Sequence, residues 1–154
     1  MEDYKLLMEK AKREVMIADH MAYVTSRLIN DKKIIVSIID HLNKAFLLSI
    51  NSFMYYEKMY KRVRNVPQDS ELLIRSFFSA YAKALNVDIS LETIGYKMTR
   101  LIDSYTKRGM LLTRSTKYVI VSPEYELIDF NPNGIKDWVI KTREFVKTIT
   151  EKLS

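Results

Sequence analysis

Apolar residues between Asp3 and Ile29 fall at Tyr4, Met8, Ala11, Val15, Ala18, Ala22 and Ile29, with Thr25 filling the one missing step. The steps alternate between four and three, which keeps these positions on one face of a helix. Asp3 stands where a side-chain cap is wanted, so the pattern predicts a first helix from Asp3 to about Ile29. Asn30-Asp31 interrupts it, and Asp31 is placed to cap a second helix from about Lys32 to Val63. At ~100° per residue, Ile35, Ile39, Leu42, Phe46, Ser49, Phe53 and Tyr60 share one face of that helix. Ser37, Asp40, Lys44, Asn51, Lys58 and Arg62 share the opposite face, where Val36, Leu47, Leu48 and Met54 intrude. A helix apolar on more than one side is covered on more than one side, as the central member of a bundle or at a subunit interface. A homodimer through Val36, Leu47, Leu48 or Met54 is one expectation that follows.

Arg64–Gln68 contains Pro67 and predicts a loop. Asp69 or Ser70 would cap a third helix, Glu71 to about Leu85. Asn86–Ile89 predicts a turn, and Ser90 a cap for a fourth helix that ends before Gly109, a C-cap candidate. Tyr118–Val121 and Glu126–Phe130 are short β-rich runs around Ser122-Pro123-Glu124-Tyr125, which predicts a hairpin. Asn131-Pro132-Asn133-Gly134 is a turn cluster, followed by a last helix from Ile135 to about Leu153 with Trp138, Phe145, Val146 and Ile149 inward. The expected fold is mainly α: one domain over residues 1–154, a helical bundle of about five helices. It has a long antiparallel N-terminal helical hairpin and one small β-hairpin before the last helix. Three Gly and three Pro in the chain fit an architecture with few turns.

Composition removes function classes more readily than it supplies one. There is no Cys, so disulfides, thiolate metal sites and a Cys nucleophile are excluded, and a reducing, cytoplasmic setting is expected. The first residues, MEDYKLLMEK, are charged and unlike a signal peptide. The longest apolar runs, Ile34–Ile39 and Ala45–Ile50, are short against the ~20 residues of a membrane span, so no membrane partner is expected. The three Gly stand far apart at 95, 109 and 134, which rules out a Gly-rich phosphate loop, and no Gly-x-Ser-x-Gly elbow occurs. The only histidines come as Asp19-His20 and Asp40-His41, equidistant from the Asn30-Asp31 break. A hairpin would bring them level, as a metal site requires. His20, however, falls with Arg13 and Arg27 opposite the apolar seam, and His41 on a flank beside Ser37 and Lys44, so they diverge. No metal, no cofactor and no enzymatic activity are expected.

The formal net charge is +6, and the excess is concentrated in two segments. Lys58, Lys61, Arg62 and Arg64 stand among Tyr55, Tyr56 and Tyr60. Lys97, Arg100, Lys107, Arg108, Arg114 and Lys117 stand among Tyr96, Tyr105 and Tyr118. Cationic side chains neutralise phosphates, and aromatic rings stack on unpaired bases. The two segments are expected to form one surface for nucleic acid, RNA or single strands rather than duplex; the bland alternative is a solvated basic rim around core tyrosines. A protein-interaction module is the rival class.

The chain carries two resemblances. ADHMAYVTSRLINDKK, then RSTKYVIVSPEYEL followed by IKDWVIKTREFVKTI, resemble the HEPN-type helical domains of prokaryotes, in particular small archaeal proteins of that shape. Catalytic HEPN domains carry an Arg followed a few residues on by a His near the start of the last long helix, in a dimeric ribonuclease site. This chain has no His beyond His41, so Arg114 lacks that partner. The resemblance therefore implies a non-catalytic member that binds nucleotides, RNA or protein. Separately, YKMTRLIDSYTKRGMLLTRSTKYVIV, within Leu91–Leu127, is similar to a winged helix-turn-helix. That similarity implies Tyr96, Lys97, Thr99 and Arg100 in a major groove, and Arg114 and Lys117 on phosphates from the wing.

Overall fold

A computed structural model describes the backbone of residues 3–28, 32–107, 109–114 and 117–154, and the side chains of these except 25–28, 32, 113, 114 and 117. Five helices are present among the described residues: α1 (Tyr4–Leu28), α2 (Lys32–Met59), α3 (Ser70–Ala80), α4 (Ser90–Thr106) and α5 (Ile135–Leu153). Strands β1 (Met110–Arg114), β2 (Lys117–Val121) and β3 (Leu127–Phe130) lie between α4 and α5, and a single 3-10 turn, Pro132–Gly134, leads into α5.

The α1–α2 pair is the predicted long antiparallel hairpin. Ser52 Oγ donates to the Tyr4 carbonyl at 2.6 Å, and His41 Nδ1 meets the Glu14 carboxylate. Two cross-links far apart in α1 and α2, running in opposite senses, fix the direction. On α2, Ile39, Leu42, Ala45, Phe46, Ile50 and Phe53 are at most 1% exposed. They join residues of α1, α3, α4, α5 and the sheet in one hydrophobic cluster. The helix is the central member of the bundle because it is apolar nearly all round. By length and composition its Lys33–Met59 stretch would also pass for a membrane span, but half of its most apolar part is buried inside the bundle. Val36 and Met54, expected on a dimer face, are 4% and 3% exposed, and Leu47 and Leu48 pack against the same core. The second apolar face of α2 is thus covered within the chain at Val36 and Met54 and half-covered at Leu47 and Leu48.

Element boundaries differ from the pattern where the chain leaves a helix without glycine. α2 stops at Met59 rather than Val63, because Arg62 N–H bonds the Glu57 carbonyl at 2.9 Å and Lys61 N–H the Lys58 carbonyl at 3.0 Å. That pair of bonds requires a left-handed residue, and Lys61 supplies it at φ 60°. α3 stops at Ala80, and the turn after it closes the same way: Val87 N–H bonds the Ala82 carbonyl at 2.9 Å, with Asn86 at φ 57°. Asp69 caps α3 by accepting from Leu72 N–H. Ser90 begins α4 but does not cap it; the Asp88 carboxylate accepts the Ser90 N–H at 2.9 Å, and this bond holds the Asp88 acid below its ordinary value. Gly109 N–H closes on the Ser104 carbonyl at 2.8 Å just past the end of α4.

β2 and β3 form the predicted hairpin, Tyr118 opposite Phe130 and Val121 opposite Leu127. A further strand, β1, which the apolar pattern does not predict and the winged-helix similarity implies only as part of its wing, pairs antiparallel with β2, giving a three-stranded sheet in the order β1-β2-β3. Its inner face, with Tyr118, Ile120 and Phe130 at 6%, 1% and 2% exposure, belongs to the core.

Candidate nucleic-acid interface

α4 lies antiparallel on α2. Gly95 abuts the Phe46 ring, and one turn later Thr99 Oγ1 donates to Asn43 Oδ1 at 3.0 Å. Arg100 is therefore level with the Asn43 region. Arg62 stays beside Tyr56 and Glu57, about 20 Å away along α2 at ~1.5 Å per residue. Lys107 is farther still, since α4 continues in that direction. Arg62 and Arg100 thus stand at different levels along α2.

In the α4 segment two of the three cations with described side chains, Arg100 and Lys107, are engaged. Arg100 Nε donates to Glu71 Oε1 at 2.8 Å, which raises the guanidinium above its usual value, and Lys107 pairs with Asp103 at 3.2 Å. Lys97 is half-buried. Tyr118 is in the core against Phe130, and Tyr105 and Tyr96 pack against the cluster. The Tyr96 hydroxyl donates to Glu92 at 2.9 Å; burial, before that bond, raises its pKa. Thr99, placed in a major groove by the winged-helix resemblance, faces α2 instead. Arg108 and the side chains of Arg114 and Lys117 lie outside the described residues.

At the end of α2 the arrangement is different. Tyr60 is 53% exposed. Its ring centre lies 4.9 Å from that of Tyr56, and Tyr4 meets Tyr56 edge-on at 5.2 Å. The Arg62 guanidinium sits 5.0 Å from the Tyr60 ring centre and 5.6 Å from that of Tyr56, within cation–π range. Arg62 Nε donates to Glu57 Oε2, whose side chain is 8% exposed while that of Arg62 is half in solvent. This hydrogen bond raises the arginine above its ordinary value against the opposing effect of desolvation. Tyr81, at the end of α3, stacks edge-on against Phe53 at 4.9 Å; burial first, then the Glu57 charge, raise its pKa. Lys61 and Arg64 are exposed and Lys58 half-buried, and among the described residues none of these three has an ion pair.

Sequence reading missed three members of this cluster: Glu57, Tyr4 and Tyr81. Tyr4 and Tyr81 come from distant segments. Glu57 stands five positions before Arg62, a spacing that is not a helical pair, and the two meet only because the chain reverses at Lys61. Holding a lysine in the left-handed region costs roughly 1–2 kcal/mol, against roughly 0.5–1 kcal/mol for the extra flexibility that glycine brings to the unfolded chain. Lys61→Gly is therefore expected to raise stability by about 0.5–1 kcal/mol, read as a higher urea midpoint. A lower midpoint would mean that the lysine side chain itself stabilises the turn.

The Asp-His pairs diverge in space. Asp19 bonds Arg143 of α5 at 3.4 Å, Asp40 pairs with Lys44 at 3.1 Å, and His41 turns to Glu14. His20 lies with Arg13 and Met16 on the open outer face of α1. Among the described residues no group of three or more His, Asp or Glu side chains could hold a metal ion.

No family model, no curated protein and no solved structure matches the chain.

Proposed function

We propose that this chain binds single-stranded nucleic acid, RNA foremost, without cleaving it, at the C-terminal end of α2. The observation that carries the proposal is Tyr60. It is an aromatic ring half in solvent, backed by a guanidinium and a second tyrosine, in a stretch of chain that also carries Lys58, Lys61 and Arg64. Unpaired bases offer flat faces to such a ring, whereas a duplex keeps its bases stacked on one another. The neighbouring cations supply the sequence-independent phosphate attraction. The plan that resembles HEPN-type domains enters the same proposal, as a helical scaffold that holds RNA with no catalytic Arg-His pair.

A titration against single-stranded RNA, single-stranded DNA and duplex DNA at several salt concentrations tests it. Expected is a Kd of ~10⁻⁶ M or tighter for single strands, weakening steeply with salt. Tyr60→Ala should weaken single strands selectively, by roughly tenfold. Failure to bind any of the three below ~10⁻⁴ M would leave a protein-interaction module as the surviving class.

A second reading has one observation in its favour: β1 follows α4 directly and pairs with β2, Arg114 opposite Lys117, as the wing follows the recognition helix in a winged helix-turn-helix. Against it stand Thr99 turned inward and Arg100 and Lys107 paired with carboxylates. Preference for duplex DNA of one defined sequence in the same titration would promote it.

A further inference from the structure

Arg62 is held at two points by one residue. Its backbone N–H bonds the Glu57 carbonyl at 2.9 Å, and its Nε bonds the Glu57 carboxylate. That carboxylate is nearly buried. Drawing the guanidinium away to meet a phosphate would strip a buried anion of its partner, which is strongly unfavourable. The charge of Arg62 is thus spent inside the protein, and what it offers outward is a flat cation lying over two tyrosine rings. The tyrosines are themselves braced, Tyr56 by Tyr4 and Tyr60 by Tyr56. An exposed tyrosine on a helix end ordinarily samples several rotamers, and ordering it on binding lowers affinity. Here that ordering is done in advance.

We infer that Glu57 and Arg62 are positioning residues that hold Tyr60 as a preformed seat for one unstacked nucleobase, with Lys58, Lys61 and Arg64 meeting the phosphates beside it. This rests on the nucleic-acid reading above and names the ligand's recognised part, an unpaired base on a single strand. It also separates two roles that charge alone would merge, since Arg62 serves stacking and the other three cations serve the backbone.

The two roles predict opposite signs for one substitution. If Arg62 were a phosphate contact, Glu57→Gln would free it and strengthen binding to every nucleic acid, and Arg62→Lys would change little. As a clamp, Arg62 needs both its planar fork and its acidic anchor. Glu57→Gln and Arg62→Lys should then each reduce the preference for single-stranded oligouridylate over an RNA duplex of equal length by roughly tenfold, the effect expected of Tyr60→Ala. The slope of log affinity against log salt should stay unchanged. In the double variant of Glu57→Gln with Tyr60→Ala, the loss should not exceed that of Tyr60→Ala alone. The preference is a ratio, so the charge change in Glu57→Gln cancels from it, and retained duplex binding with an unchanged thermal melt shows that each variant is folded. An unchanged ratio in folded variants, or tighter binding to all ligands in Glu57→Gln, overturns the clamp while leaving the nucleic-acid reading intact. No binding of any nucleic acid by the unmodified chain overturns both.

Discussion

Replacing Lys58, Lys61 and Arg64 together by alanine is expected to lower affinity for single-stranded RNA by about 100-fold at ~0.1 M salt. Each cation that neutralises a phosphate on a single strand releases about 0.7 of a counterion, so three lost contacts remove roughly two from the salt slope. At ~0.1 M that is about two orders of magnitude, and near 1 M the variant and the parent should converge. Stability should hardly move, because the three side chains have no ion pair among the described residues and at most half-bury their stems. A matched triple at Lys97, Arg100 and Lys107 should lose far less. Arg100 and Lys107 already answer to Glu71 and Asp103, and a cation neutralised within the protein attracts phosphate weakly. Equal losses in the two triples would mean that the field of the whole chain, rather than the end of α2, drives binding.

The contrast between the two triples was not legible in the sequence. Both segments show basic residues interleaved with tyrosines, and linear spacing cannot tell a stacking ring from a core ring. Tyr118 alternates with Lys117 and Val119 in a strand, which puts it on the inner face against Phe130. Tyr60 follows the last turn of α2 and escapes the core. The helices themselves were readable because their apolar steps of three and four persist over several turns, and the α1–α2 hairpin, the β2–β3 hairpin and α5 appear where the pattern put them. The pattern failed where termination depends on tertiary context. Val63 is compatible with helix, yet the chain leaves α2 early through a left-handed turn at Lys61, for which glycine is the usual sign, and α3 stops at Ala80 although Tyr81–Leu85 are compatible with helix. β1, MLLTR, is short and composed of residues equally at home in a helix. Only pairing with β2 makes it a strand.

Gly95→Ala is expected to destabilise the fold by about 1–2 kcal/mol, although helix propensity alone points the other way. Alanine in a helix interior is better than glycine by roughly 0.5–1 kcal/mol, and Gly95 sits in the middle of α4. Yet a Cβ there would lie 2.3 Å from Cε1 of Phe46 and 2.8 Å from its Cζ. The ring cannot step aside. Phe46 is fully buried, with the Phe145 ring centred 5.0 Å away and that of Phe78 at 6.1 Å. Phe145 is in turn backed by Phe77 at 5.6 Å. Relief must come from α4 backing away from α2, which also strains the Thr99–Asn43 hydrogen bond one turn further on. Overpacking of this kind costs typically 1–3 kcal/mol, more than the propensity gain, and for a chain of this size the net loss is a fall in Tm of roughly 5 °C. Phe46→Leu removes the atoms that clash, so in that background Gly95→Ala should lose much of its effect, a coupling of about 1 kcal/mol or more between two residues in contact. Thermal unfolding of the two single variants and the double variant measures it. If Gly95→Ala raised Tm, or if the two changes simply added, the close approach of α4 to Phe46 would not be what requires a glycine at this position.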